Sequence, residues 1–499
     1  MESGSMRWRA PIVEMLDRHI SSAPTSYHVP GHKFGHTLNS VHKYIPQMAE
    51  SFAKIMAIDI TELTGTDDLH APSGAIAEAQ QLAAGCFGAE ETYFLVGGST
   101  AGNLAMLLAC CGQGELVLVQ RNVHKSVLHG LELAGAQAVF IMPDEDEGSG
   151  LLLPPSLTAI EQAMQRYPQA KAVFLSNPSY YGLSVDLRPY AELIHQYNCL
   201  LLVDEAHGAH YGLHPGFPLS AMQAGADAAV QSTHKTLSAM TMGAMLHIQG
   251  ERLNRGMIRR VLTMLQSSSP SYPIMASLDI ARAMIDAEGA FLFASGIEAA
   301  AAFQNWLDHS SHIFESVRCL HPLCRQDPLR VILHDRTMTM SGYDLMQRLE
   351  QHGCWAEMAD SRYVVLLFPI TAALTDVEKL KEALKAIELQ IQQNRLQQAE
   401  NVLHAVKAPA SYEAISQPVH FRLHELSNQQ TEKVLLEKAV NRIAAEPIVP
   451  YPPGIPVVYG GEKITKAMVD YLSRMGRLGA RFQGAYRPDK GTIAVLRGR

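Results

Sequence analysis

The 499-residue sequence has no apolar run that reaches the ~18 residues a membrane-spanning helix needs. Its opening stretch, MESGSMRWRAPIVEMLDRHI, lacks the apolar centre of a secretion leader, which predicts a chain that stays in the cytoplasm. Cysteine is scarce: there are 7, odd in number and scattered, with Cys110-Cys111 the one adjacent pair. Adjacent cysteines rarely bridge, and no CxxC has a matching second pair. Free thiols in a reducing compartment are therefore expected, with no structural zinc or other metal. Positive charge is also short. Lys and Arg total 41 against 49 Asp and Glu, a formal net charge of -8, the opposite sign from a general nucleic-acid surface. Mild acidity suits a soluble enzyme and slightly favours cationic substrates through long-range steering. Internal repeats and low-complexity tracts are absent, and the balance of 47% apolar to 18% charged residues is that of a folded chain. The length predicts two or three domains.

What is present is an alternation. Ala75 to Phe87 has apolar residues at helical spacing, and Thr92 to Val96 reads as a buried strand running into Gly97-Gly98. Ala101 to Cys111 reads as the following helix. Strand-like runs recur at Leu116 to Val119, Ala138 to Met142, Ala172 to Ser176, Leu200 to Asp204, Ala228 to Ser232 and Ala244 to Ile248. Helical patterns at Ser156 to Tyr167 and Leu187 to Tyr197 separate some of them. Short, fully apolar strands bounded by helices predict an α/β fold whose mostly parallel sheet is covered on both faces. Ligands then bind beyond the carboxyl ends of the strands, which directs attention to Ser99, His124, Asn177, Asp204, His207 and Lys235. Pro270 to Ala302 reads as a long Ala-rich helical connector. A smaller α+β pattern follows: strands at Arg330 to Leu333 and Val364 to Phe368, helices at Tyr343 to His352 and Asp376 to Asn394. The expected division is an N-terminal arm over 1–74, a large domain over 75–300, a small α+β domain over 301–395 and a C-terminal domain over 396–499.

Four stretches carry chemistry. In Ser232-Thr233-His234-Lys235 a lysine lies just past a buried strand among small hydroxyl residues. That setting suits a Schiff base to an aldehyde cofactor, because burial lowers an amine pKa and frees it to attack. Ser232 and His234 are placed to hold a cofactor phosphate; a surface lysine in a loop is the competing reading. Asp204 ends an apolar strand 31 residues earlier (235 − 204) in the run Asp204-Glu205-Ala206-His207. Pyridoxal phosphate needs an anion against its pyridine nitrogen, and Ala206 is small enough to lie beneath the ring. A metal-binding Asp or a helix cap is the alternative. Gly97-Gly98-Ser99-Thr100-Ala101 stands at a strand-to-helix junction, where free N–H groups and hydroxyls bind phosphate; no Walker A lysine follows, and a simply capped helix is the alternative. His124, in Arg121-Asn122-Val123-His124-Lys125-Ser126, could stack on a cofactor ring or be structural.

Together these segments resemble the fold-type I (aspartate aminotransferase-like) pyridoxal-phosphate enzymes, and more closely the Orn/Lys/Arg decarboxylase family of bacteria. The likeness is carried by Val29-Pro30-Gly31-His32-Lys33, Asp67-Asp68-Leu69-His70-Ala71-Pro72, Arg121 to Ser126, Asp204 to Gly208, Ser232 to Lys235 and Tyr451 to Pro456, in the family's order and over almost the whole chain. By length the sequence is similar to the short branch that includes biosynthetic arginine decarboxylases.

The resemblance implies pyridoxal 5′-phosphate as cofactor and Lys235 as its Schiff-base lysine. Asp204 pairs with the ring nitrogen and His124 stacks on the ring face. Ser99, Thr100 and Ala101, with Ser232 and His234, hold the phosphate, and Ala206 lies under the ring. His207 lies by the substrate carboxylate or the proton path. It further implies a homo-oligomer, dimeric at minimum, with Ser267-Ser268-Ser269-Pro270 reaching a neighbour's cofactor. The implied reaction is decarboxylation of a basic amino acid, arginine ahead of lysine and ornithine, feeding polyamine synthesis. Asp67, Asp68 and Glu462 are the candidate partners of the substrate's distal cation. Two stretches depart from the family pattern: the doubled glycine at Gly97-Gly98, and Val457 to Glu462, where relatives tend to have Pro-Gly-Glu. An aminotransferase or β-eliminating lyase of the same fold is the first rival, with Arg330 or Arg362 as the carboxylate clamp. A non-catalytic relative is the second, disfavoured because Lys235, Asp204 and His124 are all present.

Overall fold

The computed structural model describes residues 8–395, 413–421, 430–450, 454–478, 480–483 and 491–497. They form two compact units. The first comprises Met1–Cys110, Leu200–Pro215 and Leu219–Leu292; the second comprises Cys111–Cys199, Gly216–Pro218 and Phe293–Arg499. Among the described residues no helix is long and apolar enough to cross a membrane.

In the first unit the strands Glu91–Leu95, Ala244–Ile248, Ala228–Gln231 and Leu200–Asp204 lie side by side in that order. The last three are buried along their whole length, which is why they read as unbroken apolar runs. The last pair is parallel, as expected, but Ala244–Ile248 runs antiparallel to both of its neighbours. An apolar pattern marks burial and carries no direction. Helix Gly98–Cys110 lies against these strands, and Gly102 makes that approach possible: a Cβ there would meet Val230 Cγ2 at 2.4 Å. The expected helix at Ala101 thus begins three residues earlier and takes in the glycine-serine junction. Helix Ala75–Phe87 matches its expected limits and stops at Gly88, whose φ of 70° suits a residue without a Cβ. The expected connector from Pro270 to Ala302 is interrupted. Helix Tyr272–Glu288 gives way to a tight turn at Gly289–Phe293, where Gly289 has φ 56°, and helix Ala294–Ser310 follows in the second unit.

The second unit has three layered parts. Strand Leu116–Gln120 pairs in parallel with Gln137–Ile141 and Ala172–Ser176, and Val419–His420 adds antiparallel to Gln137–Ile141. Phe314–Ser316, Arg330–Asp335, Val364–Leu367 and Met358–Ala359 then make an all-antiparallel sheet. Its core draws Phe303, Leu345 and Ile387 from helices Ala294–Ser310, Gly342–Gln351 and Leu374–Arg395. Last, Thr431–Leu435 pairs with Thr492–Leu496, and helix Lys466–Arg477 contributes Met468, Val469 and Leu472 to that part's core. Of the proline-rich landmark at Tyr451 to Pro456, residues 451–453 lie outside the described residues.

Candidate active site

In the first unit the parallel strands Leu200–Asp204 and Ala228–Gln231 both end where a polar residue follows. Asp204 closes one strand; Ser232 leaves the other and enters the short helix Thr233–Thr236, which carries Lys235. Lys235 Nζ lies 3.0 Å from His207 Nε2. A proton passes between two nitrogens at that separation without a bridging water.

Asp204 is only 7% exposed. Its Oδ2 accepts from Asn103 Nδ2 at 2.8 Å and its Oδ1 from the Ala206 N–H at 3.1 Å. Both donors are neutral, and among the described residues no lysine, arginine or histidine pairs with this carboxylate. A buried carboxylate held by neutral donors alone is an unbalanced charge, and it is suited to a cation delivered from outside the chain. The protonated ring nitrogen of pyridoxal phosphate is such a cation.

The phosphate end fits as well. Ser232 Oγ donates to Ser99 Oγ at 2.8 Å, bringing the two expected hydroxyls together. Ser99, Thr100 and Ala101 occupy the first turn of helix Gly98–Cys110, where N–H groups have no partner within the helix. Gly98 adopts φ 73° and donates its N–H to Met242 O, which fixes the turn. His234 Nδ1 lies 2.9 Å from Gly243 O and so carries a proton there. Thr236 Oγ1 is buried without a hydrogen-bond partner. The residues present therefore fit pyridoxal phosphate at both ends.

Three expected site residues have partners of their own within the chain. His124, in the second unit, caps helix Lys125–Ala134: its Nδ1 accepts from Ser126 Oγ at 2.8 Å and from the Ser126 N–H at 3.3 Å, so its proton is on Nε2. Asp67 sits at φ 68°, and its carboxylate accepts from the N–H groups of Asp68, Ser73, Gly74, Ile76 and Ala77. Burial pushes its pKa up, but the N–H groups of Ser73, Asp68, Gly74 and Ala77 outweigh that and hold it below the ordinary value. Asp67 is thus the organiser of the entry to helix Ala75–Phe87, and its two oxygens are taken up by five backbone N–H groups. Glu462, in the second unit, accepts from Arg121 Nη2 through both oxygens at 2.9 Å and from the Tyr459 N–H. Burial raises its pKa, while the Arg121 guanidinium draws it back. Asp68 is less committed, with Oδ1 accepting the His70 N–H at 2.8 Å. Of the arginines considered as a carboxylate clamp, Arg330 is fully buried and donates to Tyr180 O, and Arg362 lies over the Tyr363 ring at 4.9 Å.

Asn103 was not among the expected site residues, although it orients Asp204. Its signal was faint: a lone amide in an Ala-, Leu- and Met-rich helix, four residues after Ser99.

Comparison with known proteins places these features in a group. The family model described as Orn/Lys/Arg decarboxylase, major domain, matches residues 10–335, and the corresponding C-terminal domain matches residues 410–493. An uncharacterised Bacillus subtilis protein, YaaO, is 40% identical over 480 residues, covering 95% of this chain and 96% of its own. An arginine decarboxylase of Bacillus subtilis is 32% identical over 494 residues, 98% of this chain and 97% of its own. Among solved structures, the Francisella novicida lysine decarboxylase LdcF superposes with a TM-score of 0.81 at 20% identity, covering 98% of this chain and 81% of that one. The architecture is that of the fold-type I pyridoxal-phosphate enzymes.

Proposed function

The chain belongs to the Orn/Lys/Arg decarboxylase family, and from that premise we propose that it converts L-arginine to agmatine and CO2, with pyridoxal 5′-phosphate as cofactor. It is a pyridoxal-phosphate-dependent amino acid decarboxylase; arginine as the substrate, a supply role in polyamine synthesis, a homodimer at minimum and a cytoplasmic location are the proposed part. Arginine is favoured over lysine and ornithine by full-length likeness to arginine decarboxylases of similar size. The observation that carries the chemistry is the buried, cation-less Asp204 in the same unit as the Lys235–His207 contact.

Lys235 would hold the cofactor covalently. Asp204 would face its ring nitrogen, Ala206 and His124 its ring, and Ser99, Thr100, Ala101, Ser232 and His234 its phosphate. When bound, pyridoxal phosphate supplies the electron sink for the bond to the departing carboxylate. Asp204, oriented by Asn103 and the Ala206 N–H, would stand at the far end of that sink. The Lys235–His207 pair holds a proton at Nζ or Nε2, ready for the substrate's Cα once CO2 has left. Asp68 is the proposed partner of the distal cation, because the Asp67 oxygens are taken up by backbone N–H groups and Glu462 is paired with Arg121.

The test is turnover by the cofactor-loaded protein on arginine, lysine and ornithine side by side, with each amine identified and no keto acid added. Agmatine from arginine supports the reading. Cadaverine or putrescine in its place keeps the reaction class and changes the substrate. Turnover that requires a keto acid would make the protein an aminotransferase.

A further inference from the structure

Next to Asp204 lies a second buried acid that the reaction above leaves unused. Glu205 is fully buried, as is His247, and Gln231 and Thr92 are 1% and 4% exposed. These four residues form one hydrogen-bonded chain. Gln231 Nε2 lies 2.8 Å from Glu205 Oε2, Gln231 Oε1 lies 3.1 Å from His247 Nε2, and His247 Nδ1 lies 2.8 Å from Thr92 Oγ1. Glu205 Oε1 separately accepts the Ala221 N–H at 2.8 Å. The chain crosses three strands, with Thr92 directly opposite His247 in register.

Each link can be satisfied in two directions. With Glu205 ionised, the Gln231 amide donates to it, His247 donates from Nε2 to Gln231 Oε1, and the Thr92 hydroxyl donates to Nδ1. With Glu205 protonated, its O–H donates to Gln231 Oε1 once the amide has turned over. Gln231 Nε2 then donates to His247 Nε2, and His247 donates from Nδ1 to Thr92 Oγ1. One proton is gained, at Glu205, and no other group changes charge. The imidazole need not rotate between the two states, which suits a ring packed 5.0 Å from that of Phe87. The Ala221 bond survives in both.

We propose that Glu205, Gln231, His247 and Thr92 are a reversible relay that stores a proton beside Asp204, making Glu205 a positioning residue that sets the field in which Asp204 holds the cofactor's ring nitrogen. The part concerning the cofactor rests on the proposed function; the relay itself does not. Two features support it. The titratable or charged groups that face Glu205 are Asp204, next to it in the chain, and His247 through Gln231, and no cation pairs with Glu205 among the described residues. Burial pushes Glu205 up to about 8, with the Gln231 and Ala221 bonds working against the shift and the Asp204 charge adding to it, while burial drives His247 down to about 3, so the imidazole stays neutral throughout.

The first test uses the protein without added cofactor. The imidazole nitrogen shifts of His247, assigned by their loss in His247→Gln, are followed from pH 6 to 9.5. The relay requires a switch from the Nδ1–H to the Nε2–H tautomer centred near pH 8, with no imidazolium. A single tautomer over the whole range would overturn it. Glu205→Gln imitates the protonated acid, its amide donating to Gln231, and should fix His247 as Nδ1–H at every pH. In the cofactor-loaded protein, an inflection near pH 8 in kcat and in the visible absorbance should vanish in Glu205→Gln. Its persistence there would break the link to Asp204. Should the variant fail to fold, the wild-type titration decides alone. A protein that binds no cofactor but shows the tautomer switch would refute the proposed function and leave the relay standing.

Discussion

Asp204, the proposed partner of the cofactor's ring nitrogen, is buried, and Asn103 supplies one of its two hydrogen bonds. Asn103→Ala removes a bond to a charged acceptor, roughly 1.5–3 kcal/mol, and so should weaken cofactor binding by about ten- to a hundredfold in an equilibrium titration. Unchanged affinity would mean that Asn103 does not serve Asp204. Lys235→Ala should abolish turnover together with the visible absorbance of the bound cofactor. His207→Gln should keep that absorbance but lower kcat by ~10²–10⁴, the scale of acid–base assistance. The placement of Lys235, Asp204 and His207 at or just past the ends of apolar strands was legible in the sequence, and parallel sheets place their ligands there. Asn103 and Glu205 were not, since their roles come from contacts across 101 and 26 residues of sequence respectively.

Among the elements, helix Gly98–Cys110 shows how closely the proposed phosphate site depends on packing. Gly102→Ala would drive its Cβ into Val230 and Leu95. Overpacking of this kind costs about 1–3 kcal/mol, to be read as a lower denaturation midpoint with reduced cofactor affinity. A neutral outcome would show that the helix can slide on the strands. Asp67 governs the entry to helix Ala75–Phe87. Its folded pKa is depressed, so its contribution is present above the unfolded value of about 4 and is lost as pH falls towards the folded one. Asp67→Asn should therefore lower stability at neutral pH, by roughly 2 kcal/mol, and flatten the acid side of the stability profile while leaving KM nearly unchanged. A large rise in KM with stability intact would return Asp67 to the substrate. The strands Ala172–Ser176, Leu200–Asp204 and Ala244–Ile248 could be placed to the residue because both faces are buried. The reversed direction of Ala244–Ile248 could not, and neither could the break at Gly289, which depends on one backbone angle inside an otherwise helical, Ala-rich run.

At the scale of the whole chain, the family match over residues 10–335 and 410–493 joins segments that sequence patterns could only describe separately. The bond between Arg121 and Glu462 spans 341 residues and ties the Arg121 to Ser126 segment to the C-terminal part of the second unit. Arg121 stacks over the Tyr459 ring at 3.7 Å and is 7% exposed. Glu462→Gln should cost roughly 2–3 kcal/mol, seen as a lower Tm, with KM for the amino acid unchanged. The reverse pattern would make Glu462 a substrate contact. We propose that Lys235, His207 and Asp204 serve the decarboxylation of a basic amino acid. The most direct test is CO2 released per arginine consumed by the cofactor-loaded protein, in wild type and in Lys235→Ala. One CO2 per agmatine in wild type and none in the variant is the expected result. Release of no CO2 from arginine, lysine or ornithine by a protein that holds its cofactor would contradict the account.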